Sequence, residues 1–186
     1  STNPGQVQVV GRPGNRYLEN SNMQKYDVII IGSGPAGKTA AIQAAKLGKN
    51  AAIVDGMDKV GGVCVHTGTI PSKTLRETVL NLTGWRERGF YGRAYRVKSD
   101  IQAEDLMQRL NLTLKNEVDI QQDHLIRNGV HIIQGFAKFV SDKVLDVDTP
   151  NGDTISLTAE RFIICVGTKT YRPDYVPFNG TTVIDS

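Results

Sequence analysis

The stretch VIIIGSGPAGKTAA (28–41) limits the possible folds of this chain more than any other. An apolar run of the kind buried on both faces of a parallel sheet ends in glycine, and an alanine-rich segment follows. The backbone must therefore turn tightly from a strand into a helix. Gly32, Gly34 and Gly37 spell G-x-G-x-x-G, the dinucleotide fingerprint, while Gly32, Gly37, Lys38 and Thr39 spell the P-loop pattern G-x-x-x-x-G-K-T. Both patterns seat phosphate on a helix N-terminus, where unpaired N–H groups and the helix dipole favour an anion. In a P-loop, Lys38 would reach the outer phosphates of ATP or GTP, Thr39 would hold magnesium, and an acid should end a neighbouring strand. Asp55 does end the strand AAIVD, but it follows Lys38 by only seventeen residues. A dinucleotide fold places its ribose-binding acid there, at the tip of the next strand. Gly34 points the same way: a dinucleotide loop needs it so that a pyrophosphate can approach the backbone, whereas a P-loop leaves that position free. The spacing favours a dinucleotide, with the P-loop as the alternative.

Along the chain, KYDVIII (25–31), a helix from Pro35 to Leu47 closed by Gly48, and NAAIVD (50–55) form one βαβ unit of about 30 residues. A glycine-rich crossing (56–69) leads to a helix with Pro71 at its start, expected to run to Arg88. Leu106, Leu110, Leu114 and Val118 recur every fourth residue, with Leu125 further on, and predict a long amphipathic helix within 100–129. The segments VHIIQG, FAKFV, KVLDVD and TISLT read as short strands, with PNGD (150–153) as a hairpin turn. RFIICVG (161–167) then reads as a separate, fully apolar strand in which Cys165 is a small core residue. The expected fold is α/β: a Rossmann-like domain with a parallel sheet, packed helices and a small antiparallel β-meander.

With 186 residues there is room for one domain with a sizeable core. The formal charge of +3 is small and its cations are scattered, which points away from nucleic acid. No apolar run is long enough to span a bilayer, so no membrane partner is expected. Two cysteines, Cys64 and Cys165, give neither a disulfide framework nor a zinc spacing. No metal site is predicted, and a reducing, cytoplasmic setting fits. The first 22 residues have no apolar signal core, and Met23 fits a native start, so 1–24 reads as a flexible leader or tag ahead of 25–186.

Downstream, DKVGGVCVHTGTIPSKTLRE (58–77) closely resembles the flavin segment of the FAD-dependent pyridine nucleotide-disulfide oxidoreductases, the family of dihydrolipoamide dehydrogenase, glutathione reductase and mercuric reductase. DVIIIGSGPAGKTAAIQAAKLG before it, GFAKFV (135–140) after it and FIICVGTKTYRP (162–173) extend the resemblance in the family's order. The resemblance makes the nucleotide FAD. Disulfide-reducing members carry C-x-x-x-x-C here; this chain has Cys64 in the first position and Thr69 in the second. A threonine forms neither a thiolate nor a disulfide, so a cysteine relay is lost. G-G-x-C-x-H-x-G-T-I-P-S-K, met by Gly61, Gly62, Cys64, His66, Gly68, Thr69 and Lys73, resembles the transhydrogenase members, which pass hydride from NADPH through flavin to NAD without a dithiol.

The resemblance implies a set of roles. Gly32, Gly34, Pro35, Ala36 and Gly37 would receive the pyrophosphate, and Asp55, followed by Gly56, the adenosine ribose. Gly61, Gly62, Val63 and Cys64 would run beside the pyrophosphate and ribityl chain; many disulfide reductases have threonine in place of Val63. Ala137 would offer backbone to the adenine, and Gly167 and Thr168 would close over the cofactor. No residue is assigned as catalytic, but Thr69 and Lys73 are candidates near the flavin, Lys73 by placing positive charge beside its N5. Cys64 and His66, two apart in an extended segment, would share a face and allow a Cys–His contact. The flavin motif accounts for Cys64 without one. His124 and His131 are expected to be structural.

Members of this family are longer, adding an NAD(P)-binding domain with its own glycine fingerprint and a dimerisation domain. The chain is therefore expected to be the N-terminal part of the FAD domain. By itself it would be inactive in transhydrogenation and could lack FAD, and its exposed sheet edge should favour a homo-oligomer. The alternatives are a dihydrolipoamide dehydrogenase-like flavoprotein with another electron acceptor and a non-catalytic nucleotide-binding module.

Overall fold

The computed structural model describes residues 23–84 and 102–185, so residues 1–22 of the leader expected over 1–24 and the helix end expected at Arg88 lie outside the described residues, while Gln24 already belongs to the first strand. Strand β1 (Gln24–Ile31) leads into helix α1 (Pro35–Lys46) and strand β2 (Ala51–Asp55). Helices α2 (Gly62–His66), α3 (Thr69–Leu82) and α4 (Ala103–Arg127) follow. Strands β3 (His131–Gln134), β4 (Phe136–Phe139), β5 (Val144–Asp148) and β6 (Thr154–Ile164) complete the fold. The strand order is β3-β2-β1-β6-β5-β4. Strands β3, β2, β1 and β6 run parallel, and β5 and β4 continue from β6 as an antiparallel meander. This is the Rossmann-like α/β architecture expected, in which helical crossovers join the parallel strands.

The continuous apolar run of β1 has a direct structural cause, because both of its faces are covered. Ile29, with Ala52 and Val54 of β2, packs under the meander residues Leu145, Val147, Leu157 and Ala159. On the opposite face Val28 and Ile30, with Ala51 and Ile53, pack against Ala41 of α1 and Leu125 of α4. The alanines of α1 let that helix lie close to the sheet. Its C-terminal turn ends at Gly48, whose φ of +76° is a left-handed conformation that favours glycine. Helix α4 begins with a capping box between Gln102 and Asp105, and buries Leu110, Val118 and Leu125.

Three expectations need correction. The glycine-rich crossing contains a short helix, α2, and α3 begins at Thr69 with Pro71 inside its first turn, where a missing N–H costs nothing. TISLT and RFIICVG are not two strands. They run as the single strand β6, which pairs with β5 through its first half and with β1 through its second, since no glycine or proline interrupts them. Nor is its apolar end a buried core strand: it stops at Ile164, and Ile163, Ile164 and Val166 are exposed.

Candidate functional site

The carboxyl ends of β1, β2 and β6 meet at one crevice, where the chain turns from β1 towards β2 on one side and β6 lies on the other. In open α/β sheets this switch point is where ligands bind. Gly32 fits between its neighbours because it lacks a side chain: its N–H donates to the Val54 carbonyl at 2.7 Å. A Cβ at Gly32 would lie 2.3 Å from the Cys165 carbonyl oxygen, and its φ is +102°. Gly37 has a different constraint. A Cβ there would stand 1.9 Å from the Gly32 carbonyl oxygen, so this glycine seats α1 against the loop. Gly34 has neither constraint: with φ −63° it would accept any residue, and nothing lies within 4 Å of a Cβ added to it. Its open side faces the crevice.

Asp55 ties the site together. Its Oδ2 accepts the Ser33 N–H at 2.6 Å and its Oδ1 accepts the Met57 N–H at 2.9 Å. The Asp55 carbonyl also accepts the Gly135 N–H at 2.9 Å, which fixes the start of β4 beside the tip of β2. The glycine loop and the acid one strand later are thus in direct contact. Buried Ser33 completes the brace, its Oγ accepting the Gly61 N–H at 3.1 Å. Gly62 then packs on the loop, since a Cβ on it would approach Gly34 Cα to 2.9 Å.

These elements enclose a cleft of about 570 Å³. Of the residues singled out in the sequence, Gly32, Gly34, Pro35, Ala36, Asp55, Gly56, Gly62, Val63, Cys64, Ala137, Gly167 and Thr168 line it. Gly37 and Gly61 are buried and do not line it. Lys73 and Thr69 do not line it either; both are exposed on α3, which starts at Thr69 after a turn through Thr67 and Gly68. Among the described residues that line it, Asp55 is the only charged one. Phosphate bound there would be met by backbone N–H groups and the positive end of α1, and among the described residues no lysine or arginine lines the wall.

Several residues give a different picture from that expected. Cys165 is half-buried just beyond β6, packs against the helix-side core and also lines the cleft, so it is more than a core residue. The Cys64–His66 contact that an extended segment would have allowed is ruled out by helical geometry, in which residues two apart do not face each other. His66 Nε2 points instead at the carbonyls of Lys59 and Val60, at 3.2 and 3.1 Å. Carbonyls only accept, so Nε2 carries the proton and His66 closes the turn before α2. Thr39 donates its hydroxyl to the Pro35 carbonyl at 2.8 Å, and neither it nor Lys38 lines the cleft, which weakens the P-loop alternative. His131 pairs with Tyr26, as a structural residue should: Nδ1 lies 3.1 Å from the Tyr26 hydroxyl, whose proton goes to Gln24 Oε1 at 2.7 Å. Burial pushes Tyr26 up to about 12 and lowers His131.

Sequence reasoning passed over Ser33, Met57, Phe136 and Val166. Ser33 is one of the variable positions of the fingerprint, and the Gly61 N–H it accepts comes from 28 residues further along the chain. Met57 sits in the bend after β2 and Phe136 opens β4 just after Gly135, and neither position has a periodicity that marks it.

Residues 26–185 match the family model described as pyridine nucleotide-disulphide oxidoreductase. The chain is 46% identical over 165 residues to a soluble pyridine nucleotide transhydrogenase of Mycobacterium tuberculosis, covering 88% of this chain and 35% of that protein. It is 37% identical to the enzyme of the same name from Escherichia coli, covering 87% and 34% respectively. The chain thus spans about a third of the length of the curated relatives it matches. Among solved structures, it resembles the Cu(II) complex of the HOCl-induced flavoprotein disulfide reductase RclA from Escherichia coli, with a TM-score of 0.67 and 27% identity. That match covers 82% of this chain and 31% of the other. Among the described residues no helix is long and apolar enough to cross a membrane.

Proposed function

Since the chain belongs to the pyridine nucleotide-disulphide oxidoreductase family, we propose that its cleft seats FAD, and that the protein it serves transfers hydride between NADPH and NAD without a redox-active disulfide. The observation that carries this reading is the hydrogen bond between Ser33 and Asp55, which brings the phosphate-binding loop and the ribose-binding acid into one cradle. The residues fit the group. Gly34 leaves the approach to α1 open, the other described residues on the wall are neutral, and Asp55 retains lone pairs beyond the two backbone bonds it accepts.

When bound, a flavin supplies two-electron chemistry, accepting hydride from one nicotinamide and giving it to another. The chain's own work is to hold and orient. The first turn of α1 binds the diphosphate through its N–H groups, Asp55 accepts from the ribose hydroxyls, and Ala137 offers main chain to the base. Gly167 and Thr168 form the opposite wall with Val63 and Cys64. Only the family resemblance supports Thr69 and Lys73 as residues near the flavin, since neither lines the cleft. Thr69 supports a reaction without a dithiol, because it stands where a second cysteine would be needed.

The test is spectroscopic and kinetic, on the full-length protein. It should be yellow as isolated, reduce an NAD analogue with NADPH, and show no thiolate charge-transfer band on partial reduction. A colourless protein that binds no FAD overturns the cofactor reading. A charge-transfer band overturns the thiol-free chemistry. Flavin binding without nicotinamide turnover would favour a different acceptor or a non-catalytic module.

A further inference from the structure

We propose that Phe136, with Met57 on the same cleft, is the stacking platform for the nucleobase of the bound dinucleotide, so that this end of the site recognises a flat ring by contact area and not by charged or hydrogen-bonding side chains. The inference rests on the dinucleotide reading above and deepens it.

Phe136 is 72% exposed and Met57 47% exposed, although both are large apolar residues. Neither position is loose. The Met57 N–H is held by Asp55 Oδ1, and Gly135, the residue before Phe136, donates its N–H to the Asp55 carbonyl. Both side chains are therefore registered to the acid assigned to the ribose. The ring of Phe136 lies directly on Gly56: a Cβ there would stand 2.6 Å from Cε1 and 2.8 Å from Cδ1. Gly56 is thus glycine because an aromatic ring rests on it. The ring stays largely open on its other side, and both it and Met57 line the cleft.

The order along the cleft follows from covalent connectivity. Diphosphate sits at Gly34 and α1, ribose at Asp55, and the base, attached to that ribose, reaches Gly56, Met57, Gly135, Phe136 and Ala137. None of these five has a polar side chain. Aromatic rings stack on nucleobases whatever their hydrogen-bonding pattern, and a thioether packs well on a ring. An exposed phenylalanine fixed on a glycine at that point has this use for its free face.

The experiment uses the full-length protein stripped of flavin. FAD is titrated by fluorescence, with ADP and inorganic pyrophosphate as competitors, on wild type, Phe136→Ala and Phe136→Tyr. Phe136→Ala should weaken FAD and ADP by the same factor, about 5- to 150-fold, and leave pyrophosphate competition unchanged. Phe136→Tyr should restore both. Because the side chain is mostly exposed, the alanine variant should keep the wild-type melting temperature. Wild-type FAD affinity in Phe136→Ala overturns the platform while leaving the cofactor reading intact, and so does an equal loss of pyrophosphate competition. A wild-type protein that binds neither FAD nor ADP overturns both.

Discussion

Gly34 and Gly37 stand three residues apart in the same fingerprint, yet an alanine at each should fail in a different assay. In Gly37→Ala, helix propensity alone predicts stabilisation of about 1 kcal/mol, because glycine is a poor helix former. The structure reverses the sign. The new Cβ would lie 1.9 Å from the Gly32 carbonyl oxygen and 3.2 Å from Ile30 Cγ2. Gly32 cannot yield freely, since its N–H is bonded to Val54 and the carbonyl of Cys165 crowds its other side. Overpacking against backbone costs about 1–3 kcal/mol, and here α1 must move as a body, so a net loss of about 1–2 kcal/mol is expected. In Gly34→Ala the added methyl meets nothing within 4 Å and φ is already −63°, so stability should change by no more than about 1 kcal/mol, the usual effect at an N-cap. That methyl, however, occupies the approach to the first turn of α1. Losing one charge-assisted hydrogen bond to the diphosphate, about 1.5–3 kcal/mol, should weaken FAD roughly 10- to 150-fold. Urea denaturation of the flavin-free protein reads the first effect and flavin titration the second. A stabilised Gly37→Ala, or a Gly34→Ala that binds FAD like wild type, would refute the division of labour.

Asp55→Asn keeps the size but turns an amide NH₂ towards one of the two N–H groups it now accepts. It should cost about 1–3 kcal/mol of stability as well as flavin affinity; an unchanged urea midpoint would show that the brace contributes nothing. His131 is held below its ordinary value by burial, so the folded state favours the neutral ring. Its contribution is complete above about pH 6.5 and is lost as pH falls through the lowered folded value. His131→Phe should therefore flatten the fall in stability between about pH 7 and 5 relative to wild type, and parallel curves would contradict it. Tyr26, pushed up to about 12, acts at the other extreme. Stability should decline above about pH 10, where the unfolded phenol ionises first, and Tyr26→Phe should remove that decline.

Much of this protein was legible without coordinates, because local physics decided it. The β1–α1–β2 unit follows from an apolar run, glycines at fixed offsets, an alanine-rich helix and Gly48. Asp55 could be picked out by its spacing from the loop, and α4 by its apolar period of four. What the sequence could not supply was anything that depends on segments far apart in the chain. The continuity of β6 was hidden because its two halves pair with different partners, β5 and then β1. Thr69 and Lys73 belong to the flavin motif, yet the turn before α3 leaves them off the cleft wall. Cys165 looked like core because it ends an apolar run, and only the crossing of β6 beside Gly32 brings it to the cleft. The sequence specified most of the elements and pointed to a dinucleotide, since dihedral preference, periodicity and motif spacing act within a few tens of residues. Tertiary structure decided which of those residues share one surface, because that depends on strand register and close backbone approach, and these form only when distant segments pack.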